Sequence, residues 1–279
     1  MKAFAFGFAC LAWLCGAPAA GATELKDAVP GHPGIAYFDL MKLVVTDLAH
    51  DDKDAAVGIG HAVVPFVHIG GKDSRVEPPE TINLQFIEAK TIPGDDSRVI
   101  VIADFGDSEE AVAPAEMLAL FALAPAPKLL DVVEVGSDRN VGFSDIKSPL
   151  LGPHTPLLLI QSGHGNGNQA YLSFDMLFVH DDRLQHIDSV FTFGESYCSY
   201  ERHQDPSFTT IASPGPYRAL HVSVLEHVTP TGAECGDEKP PRLRAATYQA
   251  TYRWDARRQR FATPSKELDR LAKEDAKRF

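Results

Sequence analysis

The sequence predicts a mainly β fold of the α+β kind. Antiparallel sheets form a sandwich or barrel-like body, with an N-terminal amphipathic helix and a C-terminal surface helix. Three observations lead there. Short β-branched and aromatic runs recur along the chain, separated by clusters of Gly, Pro, Asp and Ser. Helical spacing of apolar residues is confined to two windows, one near each end of residues 23–279. The 44% hydrophobic content is ordinary for a globular protein and supplies a core.

The chain opens on Met1-Lys2, an uncharged apolar run over 3–15, and the small residues Gly16-Ala17-Pro18-Ala19-Ala20-Gly21-Ala22. A basic start, a short apolar centre and a small-residue end describe a secretory signal peptide. Ala20-Gly21-Ala22 fits the small-x-small rule, which places cleavage before Thr23. The apolar run is too short for the roughly 20 residues that cross a bilayer. Cys15 follows the bulky Trp13-Leu14, and Cys10 sits too early, so neither suits lipid attachment. The organisation is therefore a signal peptide over 1–22 and one β-rich exported domain over 23–279. The mature protein is expected to be periplasmic or secreted, with no membrane span.

The next break is Gly31-His32-Pro33-Gly34, with Pro33 suited to a helix start. Tyr37, Met41, Val44 and Leu48 then recur at helical spacing, while Asp39, Lys42 and Thr46 lie off that stripe. Asp51-Asp52-Lys53-Asp54 ends this helix in a charged loop. Beyond it the pattern changes to strands, expected over 62–69, 81–89, 98–105, 129–135, 157–161, 170–180, 184–193, 217–228 and 243–254. Residues 115–123 read equally as a short helix or a strand. The closing helix has Thr263 as cap and Pro264 at its first position. Its apolar stripe is thin (Leu268, Ala272 and Phe279), so it should rest on the surface. Pro-rich stretches, Ala124-Pro125-Ala126-Pro127 and 149–156, suggest two halves meeting near 124–156. A sandwich or barrel is the first choice of architecture, and a partial propeller-like stack the second.

Removing the signal leaves 25 basic and 38 acidic residues, a net of −13. Such a chain repels phosphate backbones, which argues against nucleic-acid partners. The segment 253–279 runs the other way, with nine basic and five acidic residues, and a basic tail on an acidic body is expected to dock on that body. Of four cysteines, only Cys198 and Cys235 survive cleavage. An even pair in an exported chain argues for a disulfide. Neither cysteine has a second ligand at zinc-site spacing.

Four groups of residues carry chemistry. Gly106-Asp107-Ser108 follows a strong strand and resembles the first block of the SGNH hydrolases. That family also needs a downstream Asp-x-x-His, and here the one such pair, Asp47 with His50, lies upstream. The run Ser162-Gly163-His164-Gly165-Asn166-Gly167-Asn168-Gln169 reads as a polar loop between two strands, with Ser162, His164, Asn166 and Asn168 as candidate ligand-binding residues. His221, Ser223 and His227 share one strand face, expected to be polar and half-exposed. Tyr248, Ala250, Tyr252 and Trp254 form an alternating ladder, expected to bury against a core or, if open, to stack on sugar.

The sharpest site comes from a hairpin. Strands 170–180 and 184–193 flank a tight turn at Asp181-Asp182, so His180 opposes Arg183. Carried along both strands, this register sets Met176 opposite Ile187 and Asp175 directly opposite Asp188, with His186 diagonal to Asp175. A register shifted by one would set Met176 opposite Asp188 and turn polar groups inward, which is costly where a face is buried. Opposed carboxylates destabilise a strand pair unless a cation offsets them. Asp175, His186 and Asp188 are thus a candidate metal site, against a solvated outer face as the plainer reading.

No combination has the specificity of a named enzyme motif, and no cofactor is implied. The expectation is an exported non-catalytic binding or interaction protein of the cell envelope, with a peptide, glycan or envelope partner. The alternative is a metal-assisted or His-dependent hydrolase using residues 162–169.

Overall fold

A computed structural model of the chain describes residues 23–70, 78–107, 114–232, 235 and 244–278. The expected signal peptide lies outside the described residues. Two sheets dominate. The first contains β1 (Thr23–Glu24), β2 (Val67–His68), β3 (Phe86–Ile92), β4 (Asp95–Asp107), β5 (Pro114–Ala122) and β6 (Lys128–Val135), in the order β1-β3-β4-β5-β6-β2. Its pairings are antiparallel except β6 with β2. The second contains β7 (Gly142–Phe143), β8 (Leu158–Asn166), β9 (Gln169–His180), β10 (Arg183–Ser196), β11 (Tyr200–Ile211), β12 (Ala219–Pro230), β13 (Arg244–Asp255) and β14 (Arg260–Ala262), each beside the next in the chain. Among the described residues the helices are α1 (Tyr37–Met41) and α2 (Glu267–Asp275).

The sheets pack as a sandwich. Ile100, Ile102, Leu118 and Leu120 of the first meet Leu158, Ile160, Leu177 and Leu184 of the second in one buried cluster. The first sheet's other face, with Val99, Val101, Met117 and Phe121, is covered by Leu25, Leu40, Met41 and Val44 of the N-terminal segment. The second sheet's other face carries Phe174, Phe178, Val222 and Tyr252, onto which Leu268 and Leu271 of α2 pack. Strands buried on both faces show unbroken apolar runs instead of alternation. That is why residues 115–123 were ambiguous in sequence; all but Leu123 belong to β5.

The second sheet is curled. β13 lies four places from β9, which in a flat sheet is about 19 Å. Yet the rings of Phe178 on β9 and Trp254 on β13 are 6.0 Å apart. The fold therefore combines a sandwich with a barrel-like second half, against whose inner face α2 packs Leu268 and Leu271. Cys198 and Cys235 are joined by a disulfide, with Cα atoms 5.6 Å apart.

Four sequence expectations need correction. The N-terminal amphipathic helix is not formed over its expected length: only Tyr37–Met41 is helical, and His32–Ala36 before it is extended. The β-branched Val44-Val45-Thr46 instead turn their backbones to residues 62–64, with Thr46 N–H donating to Ala62 O at 2.8 Å and Val64 N–H to Val44 O at 2.9 Å. The buried stripe survives, because Tyr37, Met41, Val44 and Leu48 are all in the core. Strand β11 was missed. Its inward positions carry Arg202, Gln204 and Pro206 where an apolar alternation would have shown it. The segment 162–169 is strand rather than loop except for a two-residue turn at Gly167-Asn168.

The fourth correction concerns α2. It begins at Glu267, later than Thr263 and Pro264 suggested; it lies on the surface as expected, with Asp269, Arg270 and Lys273 exposed, but its inner side is deeply buried. Leu271 is 1% exposed and Asp275 0%. Asp275 accepts from Gln204 Nε2 at 3.0 Å and from Arg278. Arg278 also bonds Glu226 at 3.1 Å, and Arg202 bridges Glu226 at 3.0 Å and Glu195 at 2.8 Å. The basic tail docks on the acidic body through this cluster. Burial pushes the Asp275 carboxyl up to about 6, opposed by the Gln204 hydrogen bond and the Arg278 charge.

Candidate functional site

Two places gather side chains that could act on a ligand. The first grows from β8. Its face toward the first sheet runs Leu158, Ile160, Ser162, His164 and Asn166, so it leaves the apolar core after Ile160 and becomes polar. The turn 137–140 clamps onto this stretch. Gly163 N–H donates to Arg139 O at 2.7 Å, Asn140 Nδ2 donates to Gly163 O at 3.0 Å, and the Ser137 N–H reaches the Ser162 hydroxyl at 3.3 Å. Gly163 is required here, because a Cβ would sit 2.0 Å from Tyr171 O. The clamp delivers Asp138 to His164, where Nδ1 and the Asp138 carboxylate are hydrogen-bonded. A carboxylate acceptor holds the proton on Nδ1, which leaves Nε2 as the ring's other hydrogen-bonding atom.

Tyr171, directly opposite His164, stacks on its ring at 4.8 Å and donates its hydroxyl to Gln169 Oε1 at 2.5 Å. Burial raises the pKa of this phenol. Asp138, His164, Asn166, Gln169, Tyr171 and Phe191 line a cavity of about 400 Å³. Of the four residues expected to bind ligand, His164 and Asn166 line this cavity. Ser162 is 1% exposed, its hydroxyl near that of Ser137, and Asn168 is at the exposed turn. Asp138 was invisible in the sequence because it lies 26 residues from His164 with no motif to link them.

The second place is the hairpin of β9 and β10. The turn is as expected: Asp181 and Asp182 both have positive φ, 49° and 58°, and His180 opposes Arg183. The register holds as far as Leu177 opposite His186. A β-bulge at Ile187 then shifts it, so Met176 faces Asp188 and Asp175 faces Ser189. The expected opposition of Asp175 to Asp188 is therefore wrong. The extra residue supplies the shifted register without turning the preceding pairs over, an arrangement an uninterrupted ladder cannot reach.

The bulge divides the three candidate metal ligands between two faces. Asp175 and His186 stay on the side toward the first sheet, linked by Ser189, whose hydroxyl is 2.6 Å from Asp175 Oδ1 and 3.1 Å from His186 Nε2. Burial lowers the His186 pKa, against the raising pull of Asp175 and Asp188. Asp188 turns to the interior of the curl and accepts from the Tyr252 hydroxyl at 2.7 Å. Burial, and then the Asp188 charge, raises the Tyr252 pKa. Among the described residues no group of three His, Cys, Asp or Glu is placed to hold a metal ion.

Around the bulge is a cleft of about 600 Å³. Its apolar lining includes Val133, Leu184, Ile187 and Leu268, and His68, His186, Asp188 and Lys266 reach it from three different segments. His68 lies 3.5 Å from the Glu134 carboxylate. Only His186 and Asp188 of these polar residues were singled out in the sequence.

The other candidates are structural. Tyr248 and Tyr252 are buried, and Trp254 packs among Phe178, Tyr217 and Phe261, so this ladder offers no open stacking face. His221 bonds Thr251 Oγ1 at 3.1 Å. Ser108 lies outside the described residues. Among the described residues no helix is long and apolar enough to cross a membrane. In comparison with known proteins, no family model, no curated protein and no solved structure matches the chain.

Proposed function

We propose that this is an exported, non-catalytic binding protein of the cell envelope. Its ligand carries an apolar part together with charged or hydrogen-bonding groups, and it sits in the cleft at the Ile187 bulge. The observation that carries this reading is the cleft's make-up. About 600 Å³ of space has Val133, Leu184, Ile187 and Leu268 among its walls, together with the polar groups His68, His186, Asp188, Arg260, Lys266 and Asp269. Ligand sites commonly combine these features at roughly 300–1,000 Å³. Export, with cleavage before Thr23, is part of the proposal and is supported by the N-terminal composition and the disulfide.

A thermal-shift screen of the mature protein against apolar acids and alcohols, peptides, glycans and divalent metals tests it. A ligand that binds only the native state raises the melting temperature. A ligand with an apolar part and a polar head should do so in wild type and much less in Ile187→Arg, which puts a long charged side chain into the cleft from a half-buried position. A screen in which only glycans or metals stabilise the protein would overturn the reading.

A second reading has its own support. The Asp138–His164 pair beside Tyr171 is the arrangement that holds a general base. It favours the His-dependent hydrolase. No hydroxyl nucleophile is hydrogen-bonded to His164 among the described residues, so water would have to attack. Hydrolysis of activated esters that disappears in His164→Ala would move the assignment to an enzyme.

A further inference from the structure

Among the described residues the outer edge of β3 is only partly used. β1 pairs with it at Phe86 and Ile87, where Thr23 lies opposite Ile87. Among the described residues no strand continues that pairing along 88–92. A groove of about 410 Å³ runs beside this stretch, and Glu88, Ala89, Lys90 and Thr91 all line it. Successive strand residues point to opposite faces, so four in a row border one cavity only when it lies along the strand's edge. The facing wall is built by Phe143, Ile146 and Leu157, with Leu150 42% exposed at the rim. The Ser148 hydroxyl, also in that wall, is buried without a hydrogen-bond partner among the described residues. Local charge is balanced: Lys90 feels both Glu88 and Asp145, and its ammonium stands 5.1 Å from the centre of the Phe143 ring.

We propose that this groove takes an extended, uncharged segment of a partner polypeptide, which adds as a strand to the 88–92 edge in line with β1. The occupant follows from where the chain ends. A chain cut before Thr23, the export reading on which this inference rests, starts at the mouth of the groove and covers none of it. An unpaired strand edge is a template for another chain's backbone. Strand addition draws affinity from main-chain hydrogen bonds and selectivity from side-chain pockets. Here the apolar wall and balanced charges select small neutral side chains, and a peptide amide or carbonyl gives Ser148 its missing partner.

The test uses protein recovered from the exporting host, with its N-terminus read by mass. It is panned against displayed random octapeptides, and an enriched peptide is synthesised and located by hydrogen exchange. Bound peptide should slow exchange of amides within 88–92 by at least tenfold. Leu150→Glu, at an exposed position, should weaken binding at least tenfold while leaving the melting temperature unchanged. Absence of any enriched peptide, protection elsewhere, or unaltered binding by Leu150→Glu would overturn the proposal. So would protection of the same amides in peptide-free protein together with a dimer mass, which assigns the edge to a second copy. An N-terminus other than Thr23 with the peptide protection intact removes the cleavage reading and keeps the groove. A Thr23 N-terminus without protection removes the groove alone.

Discussion

Asp188 on β10 and Tyr252 on β13 are joined by a 2.7 Å hydrogen bond although two strands separate theirs in the sheet. The bond exists because the Ile187 bulge turns Asp188 inward and the curl of the sheet brings β13 round to meet it. Hydrogen bonds to charged groups contribute about 1.5–3 kcal/mol. Asp188→Ala should therefore cost about 2 kcal/mol in denaturant unfolding. In a double-mutant cycle with Tyr252→Phe the two losses should not add, since both remove one contact. Additive losses would show that the pair is not coupled.

Glu116 should set a pH dependence. It is 4% exposed, and burial, with Asp104 and Glu88 adding to it, pushes its carboxyl from 4.5 up to about 8. The folded state thus holds this proton more tightly than the unfolded chain. Its contribution to stability is full below about pH 4.5 and is lost as pH rises toward 8. Glu116→Gln lacks that loss. Relative to wild type the variant should gain stability steadily between pH 5 and 8, measured by urea unfolding at each pH. A difference that stays constant across the range would contradict the assignment.

The C-terminal helix should matter more than its sequence suggested. Removing one partner of a buried ion pair costs about 3–5 kcal/mol. Arg278 is 19% exposed, so Arg278→Ala should fall near the lower end of that range, about 3 kcal/mol. Leu271→Ala should cost about 2–5 kcal/mol through the cavity it leaves. Truncation before Thr263 should then unfold the second sheet, seen as loss of its near-ultraviolet signal, where the thin apolar stripe alone would have predicted a tolerated loss.

The disulfide closes a separation of 37 residues. Chain entropy alone assigns such a crosslink about 4 kcal/mol. Reduction should lower the melting temperature clearly, and protein denatured without reductant should show no reactive thiol. Two reactive thiols in exported protein would overturn the pairing.

The sequence by itself determined what depends on neighbours along the chain. Alternating and unbroken apolar runs marked most of the strands, the Asp181-Asp182 turn fixed how one hairpin begins, and two cysteines left one pairing. These are local signals: side-chain period, backbone φ preference and counting. Tertiary structure decided the rest. Arg202 and Gln204 could be read as strand residues only with Glu226 and Asp275 in place to satisfy them. The helical spacing of Tyr37, Met41, Val44 and Leu48 was real as burial, but its backbone turned aside to bond residues 62–64. Ile187 carries no mark of a bulge, since one extra residue is absorbed wherever packing against Tyr252 and the first sheet favours it. Asp138 meets His164 only because the turn 137–140 is held against β8. Each of these depends on free energy gained between distant segments, which a linear pattern does not contain.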